Sequence, residues 1–240
     1  MKKTVLVIMI FLLSGCSAET NDEPKKVEDA SHNQETAQNE QTKEASNDEK
    51  LFQNDEEPQD TIALVDYTRF FPKKDATLHY VGEGSPYATY DVEYTWLAED
   101  YVLETNDTVT NGGTLVETVY KIAPGGDIFV VFQTVDQAEP IPNFKDETLE
   151  IELLEHLLPA TLEIGHTFDE KTIVDINETV VTPYKTFQDV IVVEEAIENE
   201  NTVYKQYYSP LIGLIKGELI SETEEGPFIV TSSLHSVTFK

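Results

Sequence analysis

Apolar and polar residues alternate with a period of two along much of the chain after residue 61. Between residues 90 and 96 one face carries Tyr90, Val92, Tyr94 and Trp96, and the intervening positions are polar. A period of two places successive side chains on opposite faces of an extended chain, so this segment is predicted to be a half-buried β-strand. Residues 116–122 alternate in the same way, and residues 128–135 form a nearly continuous apolar strand.

Turn-forming residues separate these predicted strands. Pro-Gly-Gly-Asp at 124–127 and Asn-Gly-Gly at 111–113 favour tight turns. In the second half of the chain the same pattern predicts strands over 166–174, 178–182, 187–195, 202–209, 214–222 and 228–239.

One segment has helical spacing instead. Residues 147–158 place apolar side chains three and four positions apart, at Leu149, Leu153, Leu154, Leu157 and Leu158. Pro159 follows directly, and proline cannot continue a helix. The spacing therefore predicts one short helix over 147–158.

Short strands joined by turns indicate a mainly β domain over residues 61–240. The predicted architecture is a curved antiparallel sheet, a half-barrel or a barrel, with the one short helix. A duplication into two related β-meanders, 70–135 and 157–222, is a further hypothesis. It rests on matched spacings: Pro72 precedes His79 by 7 residues and Tyr120 by 48, and Pro159 precedes His166 and Tyr207 by the same distances. Chance explains these spacings equally well.

The first 16 residues have the character of a bacterial export signal. Lys2 and Lys3 precede an apolar segment, 4–13, that is too short to cross the roughly 30 Å apolar core of a bilayer as a helix. The four residues that end the signal resemble the lipobox of bacterial lipoproteins: Leu13, Ser14, Gly15 and Cys16. The resemblance implies cleavage after residue 15 and a diacylglyceryl lipid on Cys16. The alternative is an ordinary secretory signal with a chance cysteine.

Residues 16–60 are predicted to be a disordered acidic linker. After Cys16 the segment contains 14 acidic residues, 4 lysines and one aromatic residue, Phe52. Such a composition buries too little apolar surface to offset the entropy of an ordered chain. We interpret the linker as a tether between the lipid and the β domain, and a partner-binding acidic tail is the alternative.

The net charge of -30 excludes several partners. Nucleic-acid binding requires lysines and arginines that neutralise phosphates, and Arg69 is the only arginine in the chain. The one cysteine excludes an internal disulfide. The predicted location is the outer face of the bacterial cytoplasmic membrane, where the lipid on Cys16 holds the protein. No other cofactor is expected.

Several motifs resemble a family of uncharacterised membrane lipoproteins from Bacillus-type bacteria, in the Firmicutes. The opening motifs are Phe70-Phe71-Pro72, residues 80–84 and residues 87–88, and the most specific motif is the closing one, residues 207–216. Further matches lie at 111–114, 162–168 and 182–187, and departures lie at 73–75, His79 and Phe168. The resemblance implies an extracytoplasmic, lipid-anchored β domain without a known activity.

Catalytic and metal-binding motifs are not found in the sequence. The five histidines lack the spacing of a zinc site, and an acid/base pair cannot be picked out among 46 acidic residues. The remaining candidate is an aromatic binding face made of Tyr90, Tyr94, Trp96, Tyr207 and Tyr208. Tyrosine offers a flat apolar ring with a polar tip to a glycan, a peptide or an apolar ligand. The alternative is that these rings pack the core of the sheet.

The leading hypothesis is a lipid-anchored, non-enzymatic domain that binds a ligand or an envelope protein. The alternatives are an envelope hydrolase with paired carboxylates and a chaperone or lipid carrier with an apolar cavity. A concave tyrosine-lined face without buried charge would favour the first. Two inward carboxylates about 5–10 Å apart would favour a hydrolase, and a closed apolar cavity would favour a carrier.

Overall fold

The computed structural model of the protein describes residues 70–109, 112–197 and 201–240. The predictions for the signal peptide, the lipobox, Cys16 and the linker to residue 60 lie outside the described residues.

The described chain is built almost entirely of β-strands. A single turn of 3₁₀ helix, Pro86–Ala88, follows the first strand. The strands are β1 (Ala76–Glu83), β2 (Tyr90–Ala98), β3 (Tyr101–Asp107), β4 (Leu115–Ile122), β5 (Ile128–Val135), β6 (Glu155–Leu158), β7 (Thr167–Phe168), β8 (Lys171–Val181), β9 (Thr186–Ile197), β10 (Thr202–Ser209), β11 (Gly213–Thr223) and β12 (Gly226–Phe239).

These strands form one antiparallel sheet in the order β6-β5-β4-β3-β2-β1-β12-β11-β10-β9-β8-β7. The first and last strands are paired, so the sheet curls into a nearly closed barrel with β6 and β7 at its two edges. The predicted antiparallel β fold, in its barrel form, is confirmed. The segments 70–135 and 157–222 both fold as consecutive antiparallel strands, and their duplication stays a prediction.

Side chains, rather than a strand ladder, join the two edges of the sheet. We call this junction the seam. The Lys171 ammonium on β8 contacts the Glu155 carboxylate on β6 and donates to the His156 carbonyl at 3.2 Å. The His156 amide donates to Oδ2 of Asp169, in the turn between β7 and β8, at 3.0 Å. The His156 ring lies edge-on to Phe168 of β7.

The predicted helix over 147–158 is wrong. Residues 147–154 have no regular structure, and Glu155–Leu158 pairs with β5 as a strand. A helix would bury all five leucines on one face, but Leu153 and Leu154 are 54% and 51% exposed. The Leu154 amide donates to the Val130 carbonyl of β5 at 2.8 Å, so pairing with the edge of the sheet overrides the helical spacing.

The predicted strand over 166–174 is interrupted. It forms β7 and β8, with a turn at Asp169, whose φ is 47°. A positive φ reverses the chain, and aspartate tolerates it better than branched residues do. The predicted strand over 178–182 is the end of β8 and not a separate strand.

Two clusters of apolar side chains hold the sheet together. The larger one fills the barrel and includes fully buried Leu78, Val102, Ile173 and Ile215. The smaller one lies on the outside, where Phe144 and its neighbours cover Tyr101, Val119 and Val131. Apolar side chains therefore fill much of the barrel interior, and the polar side chains inside it are exceptions.

Candidate functional site

A carboxyl group points into the barrel from β3. Val102 is fully buried in the interior core, and alternation along the strand places Glu104 and Asn106 on the same face. An acidic side chain in this position must be compensated, because burial of a charge without partners is costly.

Two tyrosines hold the Glu104 carboxylate. The Tyr94 hydroxyl on β2, directly across the strand pair, donates to Oε2 at 2.8 Å. The Tyr120 hydroxyl on β4 donates to the same oxygen at 3.3 Å. Among the described residues the second oxygen, Oε1, has no hydrogen-bond partner.

The surroundings of Glu104 disfavour its charged form. Burial raises the pKa of Glu104, and the hydrogen bonds from Tyr94 and Tyr120 oppose this only in part. Among the described residues, no positively charged side chain contributes to the pKa of Glu104. The Glu104 residue as a whole is half-buried.

Four more tyrosines surround this carboxyl group. Tyr80 and Tyr90 stack with their ring centroids 4.7 Å apart, and the Tyr80 hydroxyl donates to the Leu214 carbonyl at 2.6 Å. Burial, with smaller contributions from Glu104 and Glu195, raises the pKa of Tyr204 to about 12. The pKa of Tyr208 is raised mainly by burial and also by the Glu104 charge. We call this group the interior cluster: Glu104, Asn106, Gln206 and tyrosines 80, 90, 94, 120, 204 and 208.

Several polar atoms of the interior cluster have no protein partner. Oδ1 of Asn106 and Oε1 of Gln206 are buried and unpaired. Within the described chain, the hydroxyls of Tyr204 and Tyr208 also make no hydrogen bond. Gly217 stands opposite Gln206 on β11, and a Cβ there would lie 2.8 Å from the Tyr204 hydroxyl, so glycine makes room for that ring.

One end of the interior is closed by the segment before β1. The Phe71 ring is buried and contacts the rings of Tyr94, Trp96 and Tyr120 at centroid distances of 5.3 to 6.5 Å. The Trp96 indole donates to the Pro72 carbonyl at 2.9 Å. The Phe-Phe-Pro motif therefore has a structural role as a plug.

The 3₁₀ turn Pro86–Ala88 packs against β1 and β12. The Ser232 hydroxyl on β12 donates to the Ala88 carbonyl at 2.7 Å. A Cβ at Gly82 would lie 2.2 Å from the Cβ of Ala88, so glycine is required for this close approach.

The structure separates the predicted aromatic set. Tyr90, Tyr94 and Tyr208 belong to the interior cluster, and Trp96 lies beside its Phe71 plug. Tyr207 lies on the outer wall, where its hydroxyl donates to Glu218 at 2.7 Å and Lys216 lies over its ring. The five side chains therefore form no single face, and their role in binding stays a prediction.

Sequence reasoning missed Glu104, Asn106 and Gln206. Alternation alone indicates that Glu104 and Asn106 share a face with Val102, but it does not say which face of β3 points inward. That choice depends on pairing with β2 and β4, which brings Tyr94 and Tyr120 to the carboxylate.

Two other acidic side chains lie at the seam and share a lysine. Lys171, whose side chain is 4% exposed, contacts Glu155. Burial raises the pKa of Glu195, and the Lys171 charge opposes that shift. These carboxylates therefore have a cation nearby, whereas no cation in the described part of the chain acts on Glu104.

Other features of the described residues are less specific. A half-open groove of about 390 Å³ lies on the outer wall beside Tyr101, Lys121 and Phe144, away from the interior cluster. In the part of the chain that the structure describes, no group of three or more metal-binding side chains is arranged to hold an ion. No helix in that part is long and apolar enough to span a membrane.

Comparison with known proteins gives two solved structures with a general likeness. One is a protein described as exported, with a YmcC-like fold, from Bacteroides fragilis: 13% identity, TM-score 0.42, covering 71% of this chain and 99% of its own. The other is described as a lipoprotein from Parabacteroides distasonis: 11% identity, TM-score 0.38, with coverage of 71% and 98%. No protein-family model and no curated protein matches the sequence. The resemblance to a Bacillus-type family stays a prediction.

Proposed function

We propose that the protein is an extracytoplasmic lipoprotein whose β-barrel binds a small ligand in its interior without catalysing a reaction. The lipid on Cys16 would hold the protein at the outer face of the cytoplasmic membrane. The exported and lipoprotein descriptions of the two similar structures agree with this location.

The observation that carries the binding proposal is the set of unpaired polar atoms inside the barrel. Buried polar groups in folded proteins are nearly always hydrogen-bonded, so unpaired ones need an explanation. Oδ1 of Asn106 and Oε1 of Gln206 are buried and unpaired, and alternation along β10 places Gln206 between Tyr204 and Tyr208 on one face of the strand. A ligand that fills these hydrogen bonds would compensate for their burial.

The tyrosine-lined interior contains the Glu104 carboxyl group, so it does not meet the condition of a face without buried charge. The other two functions nevertheless have less support. A hydrolase with paired carboxylates needs two groups free to exchange protons, but Glu155 and Glu195 interact with Lys171. A carrier for apolar chains needs a wholly apolar cavity, and a carboxyl group and two unpaired amides make this interior polar.

Ligand binding is tested with the full lipoprotein in detergent and a small-molecule fraction of the cell envelope. A ligand that binds only the folded state raises Tm, by the equivalent of about 2.7 kcal/mol at 100 times Kd. Tyr204→Phe removes a hydroxyl without a protein partner, so it should reduce the ligand-induced rise and leave the free protein nearly unchanged. Tyr207→Phe on the outer wall is the matched control. An equal rise in all three proteins would contradict an interior site.

The lipid anchor is tested separately. Radiolabelled palmitate should enter the wild-type protein and should be absent from the Cys16→Ser variant. Label that persists in the variant would contradict the anchor without affecting the binding proposal.

A further inference from the structure

We propose that the interior cluster binds a small organic cation, an amine or a guanidinium, with Glu104 as its counter-ion and tyrosine rings as its walls. This inference rests on the proposed function and specifies its ligand class.

The first argument is the missing positive charge. Lysines 171, 205, 216 and 240 are in ion pairs with other carboxylates, and none of the described cations contacts Glu104. A buried carboxylate without a cation is costly, and the cost falls when a cation lies beside it. A cationic ligand would supply a charge that none of the described residues places at this position.

The second argument is the type of polar atom left unpaired. Oδ1 of Asn106 and Oε1 of Gln206 are buried acceptors without a partner, and Oε1 of Glu104 is an acceptor that neither Tyr94 nor Tyr120 contacts. Asn106 is two residues from Glu104 on the same face of β3, about 7 Å along the strand. An ammonium offers three N–H donors and a guanidinium offers five, so either group could satisfy several of these oxygens.

The third argument is the aromatic wall. Cations are attracted to the faces of tyrosine rings, and the attraction is stronger where water is excluded. Tyr80, Tyr94 and Tyr208 are each no more than 4% exposed, and the Glu104 charge acts on all three. The interior therefore combines a negative group with electron-rich faces.

The fourth argument is the field of the whole domain. Residues 61–240 contain 32 acidic and 10 basic residues, a formal charge of -22. A negative potential raises the local concentration of cations and repels anions, and low-dielectric walls strengthen this effect.

The experiment uses two pairs of probes that match in size and differ in charge: n-butylammonium with n-butanol, and guanidinium with urea. Binding to the full lipoprotein in detergent is measured by calorimetry at pH 7 and constant ionic strength. Each cation should bind at least about tenfold more tightly than its neutral partner, and Glu104→Gln should remove the difference. Glu218→Gln removes a tyrosine-bonded glutamate on the outer wall and should leave the difference unchanged.

A second readout needs only the wild-type protein. A bound cation favours the ionised carboxyl group, so saturating n-butylammonium should lower the pKa of Glu104, followed by ¹³C NMR of the carboxyl carbon. This measurement keeps the test valid if Glu104→Gln unfolds the barrel.

Equal binding of cations and neutral probes would overturn the cation assignment and leave interior binding standing. Absence of probe binding, with a ligand-induced Tm rise that still depends on Tyr204, would overturn only the assignment. If the probes do not bind and the envelope fraction causes no rise in Tm that depends on Tyr204, both the cation assignment and the proposed function are overturned.

Discussion

At the residue scale, Glu104 shows how an interior can hold an acidic side chain. Two effects act on its pKa in opposite directions: burial disfavours the charge, and the Tyr94 and Tyr120 hydroxyls stabilise it. Burial is the larger effect, so the pKa is raised. The Glu104 carboxyl group inside the barrel therefore releases its proton less readily than a glutamate in water does.

This raised pKa predicts a pH-dependent effect of Glu104→Gln. As pH rises, the unfolded chain releases the Glu104 proton near the ordinary pKa of about 4.3. The folded protein releases it only at a higher pH, because its pKa is raised. The free energy of unfolding of the wild type should therefore fall, relative to Glu104→Gln, as pH rises from about 4 through the folded pKa. Urea denaturation at several pH values between 4 and 8 measures the difference.

Glu218 supplies a control of opposite sign. Burial raises its pKa, but hydrogen bonds from Lys216 and Tyr207 outweigh burial and leave the pKa lowered. Glu218→Gln should therefore cost stability near neutral pH, and that cost should disappear as pH falls through the folded pKa of Glu218. Curves that stay parallel to the wild type for both variants would contradict the assigned environments.

The sequence predicted the aromatic character of the site and missed its polar centre. Tyr90, Tyr94 and Tyr208 were candidates because tyrosine rings on a sheet can form a binding face for a ligand. Glu104 was one acidic residue among 46, and nothing local distinguishes it. Its role depends on which face of β3 points inward, and strand pairing far along the chain determines that.

At the element scale, the seam between β6 and β8 is the part of the wall without a ladder. The edge strands are short, with four residues in β6 and two in β7, which limits the backbone that they offer to other chains. Lys171 replaces the missing ladder with an ion pair to Glu155 and a hydrogen bond to His156. The wall is therefore closed by side chains that can be removed individually.

A double-mutant cycle tests the seam. Lys171→Met and Glu155→Gln should each destabilise the protein, and the coupling between them should be about 0.5–3 kcal/mol, because the two groups are in contact. Denaturation of the four proteins gives this energy. Lys205→Met and Glu194→Gln on the outer wall form the matched cycle and should couple by about 1 kcal/mol or less. No coupling at the seam would show that Lys171 does not close it.

The 3₁₀ turn gives a second prediction at this scale. Gly82→Ala would place a Cβ 2.2 Å from the Cβ of Ala88 and 2.3 Å from its backbone, so the turn must move. We expect a loss of about 1–3 kcal/mol and faster amide exchange around Ala88. Gly125→Ala, whose nearest atom lies 3.6 Å away, is the control and should change stability little. Equal stability of the two variants would contradict the close packing.

Element boundaries were predictable where one face of a strand is buried. Strands β5 and β10 match their predicted ranges, and β9, β11 and β12 differ by one or two residues. The helix over 147–158 was predicted from helical leucine spacing alone, and that spacing does not show whether the segment can pair with a sheet edge. Pairing with β5 decided between a helix and an edge strand, and the local pattern contains no information about that pairing.

At the scale of the whole molecule, the acidity belongs mainly to the folded domain. Residues 61–240 carry a formal charge of -22, whereas the linker contributes about -10. Outer-wall glutamates such as Glu194 and Glu218 are paired with lysines, and most of the remaining acids have no such partner available. A negative excess of this size favours solubility and is repelled by anionic lipid headgroups.

The pairing of β1 with β12 brings the two ends of the described domain to one rim of the barrel. The Lys240 amide donates to the Asp75 carbonyl at 2.9 Å. Neighbouring ends of this kind permit circular permutation. A chain joined from Lys240 to Phe70 by a short linker and opened at Glu224, in the β11–β12 turn, should keep the β circular-dichroism spectrum and a cooperative Tm. Opening the chain inside β4 at Val119 should abolish both. The barrel would thus depend on which strands pair, and a break in a surface turn would leave that pairing intact.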